Sequence, residues 1–132
     1  MTGVQPPLHR NELPADLSIR AAQTLVDGWM RKRNWEYWHP LAQLARMTEE
    51  LGELARVVNH VYGEKPKRSD EAEQELALEL ADLLYTMICL ANSQKIDLQD
   101  GLELVLRKYE TRDAGRYRSA TETSRTEMID PS

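Results

Sequence analysis

Carboxylates recur at helical spacing in two stretches of the chain. The first stretch is MTEELGELARVVNH at residues 47–60, and the second is ELALELADLLYTMICLA at residues 75–91. Their acidic residues are Glu49, Glu50, Glu53, Glu75, Glu79 and Asp82. Side chains three or four positions apart are neighbours on a helix, so each stretch gathers its carboxylates on one side. Oxygen ligands of this kind suit hard cations such as Mg²⁺ and Mn²⁺.

The helical faces predict where these carboxylates point. Glu50 lies beside the apolar stripe of the first helix, with Glu53 about 60° and Glu49 about 100° further round. Glu79 and Asp82 occupy the polar seam of a second helix that is apolar over most of its circumference. If the two helices pack antiparallel through their apolar stripes, these carboxylates meet at one shared edge.

A shared acidic edge has several possible explanations. Clustered carboxylates repel one another in a partly desolvated place, and either protonation or a divalent cation relieves the repulsion. The alternative is an ordinary solvated glutamate face. A di-iron bundle needs Glu-x-x-His on two helices, whereas the chain has the single pair Glu36 and His39. One cysteine and three scattered histidines give little support for zinc.

Four amphipathic segments can position these residues. The chain predicts helices over residues 16–33, 40–62, 70–94 and 98–112. Asp16 or Ser18 can cap the first, while Pro40 begins the second and Gly63 ends it. No stretch alternates with a period of two, so no strands are predicted.

The predicted fold class is all-α, an antiparallel four-helix bundle-like subunit that oligomerises through its helices. Short connections between consecutive helices favour antiparallel neighbours. The third predicted helix is apolar over most of its circumference, and the other helices of a small monomer cannot bury all of that surface. The expected divisions are a flexible N-terminal arm at 1–15, a helical catalytic domain at 16–118 and a disordered tail at 119–132.

Composition narrows the classes of function. A net charge of −5 disfavours binding to a nucleic acid polymer. The longest apolar run, at residues 83–91, is short for a membrane span, and no secretory signal is recognisable. The single cysteine, Cys89, cannot form an internal disulfide and is predicted to pack in the core. We therefore expect a cytoplasmic protein without a membrane partner.

The two acidic motifs resemble a known family signature. Glu49-Glu50-Leu51-Gly52-Glu53, followed by Glu79-Leu80-Ala81-Asp82, is similar to the EExxE…ExxD pattern of MazG-like all-α nucleoside triphosphate pyrophosphohydrolases. The flanking words EELGELA, ELADLLY and KIDL agree, and the resemblance covers roughly residues 20–117. It implies a helical dimer or tetramer that uses Mg²⁺, with Mn²⁺ possible. Such enzymes cleave a nucleoside triphosphate between its α- and β-phosphates.

The resemblance also implies roles for individual residues. The metal ligands would be Glu50, Glu53, Glu79 and Asp82. Glu49 would be an auxiliary ligand or base, so that Glu49, Glu50 and Glu53 form the catalytic set. The turn RKRNWEYWHP at residues 31–40 would contact the base through Trp35, Trp38 and His39. Aromatic packing at a helix junction is the other interpretation of this turn.

A basic stretch near the C-terminus, KYETRDAGRYR at residues 108–118, resembles the family's phosphate-contacting segment. The residues concerned are Lys108, Arg112, Arg116 and Tyr117. The chain departs from the family pattern here, since Arg112-Asp113 stands where many members have Asn and the spacing to Arg116 is altered.

Two other functions stay open at this point. One is phosphoribosyl-ATP pyrophosphohydrolase, a distant relative with the same chemistry on a larger substrate. The other is a non-catalytic helical adaptor whose apolar third helix pairs with a partner. Pyrophosphate release separates the adaptor from both enzymes.

Overall fold

The computed structural model describes residues 13–64 and 69–126, and the side chains of residues 13–64 and 72–115. These residues form four α-helices and no strand. The helices are α1 (Ile19–Lys32), α2 (Pro40–Tyr62), α3 (Ser69–Ser93) and α4 (Leu98–Thr126). The prediction of an all-α subunit with four helices is confirmed.

The ends of α1 and α2 follow from local chemistry. Ser18 caps α1, because its Oγ accepts a hydrogen bond from the backbone N–H of Ala21 at 3.0 Å. Pro40 occupies the first turn of α2, and Gly63 follows the last helical residue. A Cβ at position 63 would collide with the backbone oxygen of Asn59, so glycine is required there. Both predicted ends of α2 are confirmed.

The helix α4 is longer than its apolar pattern predicts. The sequence predicts an end near residue 112, whereas α4 continues to Thr126. Residues 119–126, expected to be disordered, therefore have a helical backbone. Apolar periodicity marks a buried face and not helicity itself, and the segment contains no proline to stop propagation. Residues 1–12 and 127–132 of the expected arm and tail lie outside the described part of the chain.

The chain divides into two compact units, Met1–Asp97 and Leu98–Ser132. In the first unit, α3 packs against both α1 and α2. Arg56 of α2 forms an ion pair with Glu75 of α3, while Glu50 meets Asp82, so the two helices run antiparallel as predicted. The core side chains are mostly small and aliphatic: Val26, Val57, Ala72, Ile88, Cys89 and Ala91.

The helix α3 has an apolar surface beyond what α1 and α2 cover. Leu78, Leu80 and Leu84 are exposed within the described unit. By length and composition alone, Ala72–Ser93 could also cross a membrane, a test that the core helix of a soluble protein passes equally well. Its packing against two helices and its row of carboxylates favour the soluble interpretation.

Candidate metal centre and adjoining cavity

Three carboxylates from α2 and α3 converge at the edge between these helices. One oxygen from each of Glu50, Glu79 and Asp82 lies within 4.8 Å of the others. Glu50 is only 8% exposed, because it lies beside the apolar stripe of α2 that packs on α3. The structure thus brings together three of the four residues that the sequence predicts as metal ligands.

Little positive charge reaches this cluster from the protein. Arg46 donates to Glu50, with Nη2 and Oε1 2.7 Å apart. No hydrogen bond or ion pair in the described part of the chain reaches the carboxylates of Glu79 and Asp82. Burial raises the pKa of Glu79, and the neighbouring charges of Asp82, Glu53 and Glu50 raise it further, with Arg56 opposing them. The cluster therefore favours an added positive charge.

The two remaining acidic candidates lie beside the cluster. Glu53 is not among the three converging carboxylates, and its Oε2 accepts a hydrogen bond from Nε of Arg56 at 3.0 Å. Its negative charge still raises the pKa of Glu79, which places it close by. Glu49 is largely exposed, and its Oε2 lies 3.5 Å from Nη1 of Arg46. The roles predicted for Glu49 and Glu53 remain predictions.

A cavity of about 780 Å³ extends from the carboxylates towards the turn between α1 and α2. Glu50 and Asp82 line one part of it, and Trp35 and Trp38 line another. Both indoles are more than half exposed, and the guanidinium of Arg33 lies 5.1 Å from the ring centre of Trp35, so it covers one face of that ring. His39 is not among the described lining residues. Its Nδ1 instead accepts from the backbone N–H of Leu41 at 3.3 Å and caps α2.

A polar network that the sequence did not predict holds the aromatic turn, residues 31–40 between α1 and α2. The hydroxyl of Tyr37 donates to Asp27 at 2.6 Å and accepts from Nδ2 of Asn92 at 2.9 Å. Nε2 of Gln23 donates in turn to Oδ1 of Asn92 at 2.9 Å and to the backbone oxygen of Ile96 at 2.8 Å. The network therefore links α1, the turn and the end of α3.

The network also shifts the pKa values of its members. The hydrogen bond from Tyr37 lowers the pKa of Asp27, aided by Arg31 and opposed by burial. Burial raises the pKa of Tyr37, and its bond to Asp27 raises it further. Asn34, which begins the turn, adopts a left-handed φ of 53°, a conformation that asparagine tolerates well. The turn is thus fixed by hydrogen bonds and backbone geometry together.

Several residues that line the cavity were not predicted as site residues, among them Gln43, Arg46 and Thr86. Gln43 is 6% exposed, and its side chain makes no hydrogen bond to any described residue. Thr86 is buried in the cavity wall on α3, while Arg46 reaches Glu50. Gln43 lies seven residues and Arg46 four residues before Glu50, and this helical spacing is the signal that could have identified both.

Cys89 lines the cavity wall from α3 and is 7% exposed. Burial raises the pKa of its thiol, which disfavours a reactive thiolate. The prediction that Cys89 packs in the core is confirmed.

The predicted phosphate contacts near the C-terminus belong to α4, in the second unit. The guanidinium of Arg112 lies 4.6 Å from the ring centre of Tyr109 and 3.4 Å from a carboxylate oxygen of Asp113. Lys108 is exposed on the same helix. The side chains of Arg116 and Tyr117 lie outside the described residues. The contacts predicted for these four residues stay predictions.

Comparisons with known proteins agree with this arrangement. Residues 39–117 match the MazG nucleotide pyrophosphohydrolase domain. The chain is 44% identical over 103 residues to the uncharacterized protein YpjD of Bacillus subtilis (strain 168), covering 78% of this chain and 93% of YpjD. It is 33% identical over 85 residues to the uncharacterized protein YvdC of the same strain, covering 57% of this chain and 80% of YvdC.

Two solved structures share the fold. A Bacillus-conserved MazG protein, described as a nucleotide pyrophosphohydrolase, has 41% identity and a TM-score of 0.63, over 73% of this chain and 93% of that protein. A structure of YPJD from Bacillus subtilis has 43% identity and a TM-score of 0.62, over 75% of this chain and 99% of the other. The chain belongs to the MazG nucleotide pyrophosphohydrolase family.

Proposed function

We propose that the protein hydrolyses a nucleoside or deoxynucleoside triphosphate between the α- and β-phosphates in the presence of Mg²⁺. The products are the nucleoside monophosphate and pyrophosphate. The observation that supports this most strongly is the convergence of Glu50, Glu79 and Asp82 within 4.8 Å, beside a cavity bordered by two indoles. Membership of the family supports the same reaction class.

The donor set fits a hard divalent cation. All of its members are carboxylates, which suit Mg²⁺ or Mn²⁺ better than soft metals. Glu50, Glu79 and Asp82 would hold the cation, and Glu53 would join them if its carboxylate turned from Arg56. When bound, such a cation supplies a more acidic water and stabilises charge on the phosphates.

The protein's own residues supply positioning and proton transfer. A water oxygen forms a bond to the α-phosphorus, and the bond from that phosphorus to the bridging oxygen breaks. Glu49 is the exposed carboxylate next to the cluster and is our candidate to accept the water's proton. Positioning and electrostatic stabilisation supply most of the rate in phosphoryl transfer. No nucleophilic side chain is needed.

The nucleotide would lie along the cavity, with its base at the aromatic turn. Trp35 and Trp38 would stack on the base, and His39 is proposed as a further contact. Stacking on an aromatic side chain contributes about 1–3 kcal/mol for each base. The four C-terminal residues Lys108, Arg112, Arg116 and Tyr117 are retained as proposed phosphate contacts from α4.

The direct test is pyrophosphate release from a panel of nucleoside triphosphates, deoxynucleoside triphosphates and phosphoribosyl-ATP. The proposal expects Mg²⁺-dependent release from at least one nucleoside or deoxynucleoside triphosphate. Preference for phosphoribosyl-ATP would indicate that the protein is a phosphoribosyl-ATP pyrophosphohydrolase. A non-catalytic adaptor would release no pyrophosphate from any substrate, with or without Mg²⁺.

We further propose that the active protein is a cytoplasmic homodimer or homotetramer. The exposed leucines Leu78, Leu80 and Leu84 on α3 support a helix-mediated contact between copies, because burying apolar surface is favourable. Light scattering should give a mass at least twice that of the 15.2 kDa chain. A stable monomer at micromolar concentration would contradict the proposal.

A further inference from the structure

Arg46 has an unusual position for a basic residue beside a candidate metal centre. Within the described residues that line the cavity, it is the one basic side chain. It lies between Gln43 and Glu50 on α2, at spacings of three and four residues, so the three side chains follow one face of the helix. Along that face the cavity is lined in turn by the amide of Gln43, the guanidinium of Arg46 and the carboxylate of Glu50.

The contacts of Arg46 leave part of its guanidinium available. Nη2 donates to Oε1 of Glu50 at 2.7 Å, and Nη1 lies 3.5 Å from Oε2 of Glu49. The side chain is nevertheless 47% exposed. A guanidinium has five N–H donors, and its planar fork matches phosphate oxygens. Arg46 can therefore contact Glu50 and an anion in the cavity at the same time.

The position of Arg46 is unfavourable when a cation binds Glu50 alone, and an anionic substrate would remove this repulsion. A guanidinium in contact with Glu50 repels any divalent cation that binds the same carboxylate. A polyphosphate chain placed between them attracts both positive charges. The arrangement is therefore most favourable when the cavity holds a phosphate chain.

We propose that Arg46 binds the phosphate chain of the nucleotide, between the indoles that face the base and the carboxylates that bind the cation. This inference rests on the proposed function and adds a substrate contact on α2. All the basic contacts expected from the sequence lie on α4 instead. Arg46 thus strengthens binding of the substrate and weakens binding of the divalent cation when no substrate is present.

Arg56 offers a matched control on the same helix. Its side chain is also 47% exposed, and it pairs with Glu53 at 3.0 Å and with Glu75 at 3.4 Å. It is not among the described residues that line the cavity. Each arginine therefore pairs with an acidic residue in or beside the candidate centre, but of the two only Arg46 lines the cavity where a nucleotide would lie.

The test compares Arg46→Gln, Arg46→Lys and Arg56→Gln with the wild type by calorimetry. Mn²⁺ is titrated alone, and then α,β-imido analogues of the deoxynucleoside triphosphates are titrated at saturating Mn²⁺. We expect both glutamine variants to bind Mn²⁺ as tightly as the wild type or more tightly. Arg46→Gln should weaken nucleotide binding about ten- to hundredfold, as expected for a charge-assisted hydrogen bond. Arg46→Lys should lose less, and Arg56→Gln should keep wild-type nucleotide affinity.

Two results would overturn the inference while leaving the proposed function intact. In one, the wild type binds the analogue and Arg46→Gln binds it equally well. In the other, Arg46→Gln weakens Mn²⁺ binding but not nucleotide binding at saturating Mn²⁺, which would make Arg46 a positioning residue for Glu50. If the wild type neither binds any analogue nor releases pyrophosphate, the proposed function itself fails.

Discussion

Two polar regions lie where α3 meets its neighbours, and they differ in how their charges are balanced. Between α1 and α3, Gln23, Tyr37 and Asn92 are joined by hydrogen bonds of 2.8–3.0 Å. The one carboxylate of this network, Asp27, accepts from Tyr37 and pairs with Arg31. Between α2 and α3, Glu50, Glu79 and Asp82 bring like charges together, and Arg46 pairs with one of them. In the first region the polar groups are hydrogen-bonded to one another. In the second, the negative charge exceeds the positive charge that the protein supplies, so a bound cation would balance it.

From this contrast we expect the first region to stabilise the fold and the second to serve function. Buried polar groups stabilise a structure when all of them have partners, and they destabilise it when they do not. The network between α1 and α3 meets the first condition and fixes the aromatic turn. In the carboxylate cluster Glu50 is buried and Asp82 is exposed, and the like charges repel one another, so we expect the cluster to lower stability when no cation is bound. Substitutions in the two regions should therefore act in opposite directions.

The largest effect should come from removing a charge in the cluster. Asp82→Asn should lower pyrophosphate release at least about a hundredfold, because a metal contributes several kcal/mol of charge stabilisation in the transition state. Its fold should be as stable as that of the wild type in the absence of metal, since one repulsive charge is lost. Steady-state turnover and urea unfolding measure the two quantities.

Glu73→Gln is the control for Asp82→Asn, because Glu73 is an exposed acid on the same helix. It should keep both turnover and stability. If Asp82→Asn were destabilised and kept normal turnover, Asp82 would be a residue that stabilises the fold and not a ligand of the cation.

A smaller effect, of the opposite kind, should follow from Tyr37→Phe. This change removes the hydrogen bonds with Asp27 and Asn92, and we expect the free energy of unfolding to fall by about 1–2 kcal/mol. A looser aromatic turn should raise KM for the nucleotide without changing Mn²⁺ affinity. Unchanged stability in urea unfolding would show that the network does not fix the turn.

The same variant has a pH signature. The bond from Tyr37 lowers the folded-state pKa of Asp27, so ionised Asp27 stabilises the fold above its ordinary pKa of 3.8. This contribution is lost as the pH falls through the lowered folded-state value. In Tyr37→Phe the pKa of Asp27 should rise towards 3.8, which carboxyl-detected NMR titration can measure. An unshifted pKa would show that Arg31 alone holds Asp27 ionised.

The smallest effect should come from Gln43→Leu. The carboxamide of Gln43 makes no hydrogen bond to a described residue, but it is not among the described buried polar atoms that lack a partner, so it is open to the cavity. An apolar side chain of similar size should therefore change the free energy of unfolding little. If the amide contacts the nucleotide, KM should rise about two- to tenfold. A variant that lost stability and kept its KM would make Gln43 an ordinary part of the core.

The sequence was informative where function depends on spacing along one helix. Pro40 and Gly63 predicted the ends of α2, and helical periodicity placed Glu50 beside the apolar stripe and Glu53 further round. The structure agrees, since Glu50 joins the cluster while Glu53 lies next to Arg56. Such positions follow from the geometry of a single helix, which a sequence reports directly.

What the sequence could not predict depends on contacts between distant elements. Gln23 and Asn92 are 69 residues apart, and each alone is an unremarkable polar residue on an amphipathic helix. The pairing of Arg46 with Glu50 depends on rotamers and on competition among neighbouring carboxylates. The extension of α4 to Thr126 was missed because that segment has no apolar stripe.

We propose that Glu50, Glu79 and Asp82 together bind a divalent cation. The test is thermal unfolding of the wild type, Glu79→Gln and Glu73→Gln, each with and without Mn²⁺. At about 100 times Kd, a ligand that binds only the folded protein stabilises it by about 2.7 kcal/mol, so the wild type and Glu73→Gln should melt at clearly higher temperatures with Mn²⁺. Glu79→Gln should show little or no rise, and without metal it should melt no lower than the wild type. A wild type that Mn²⁺ does not stabilise, or a Glu79→Gln variant with the full rise, would contradict the claim.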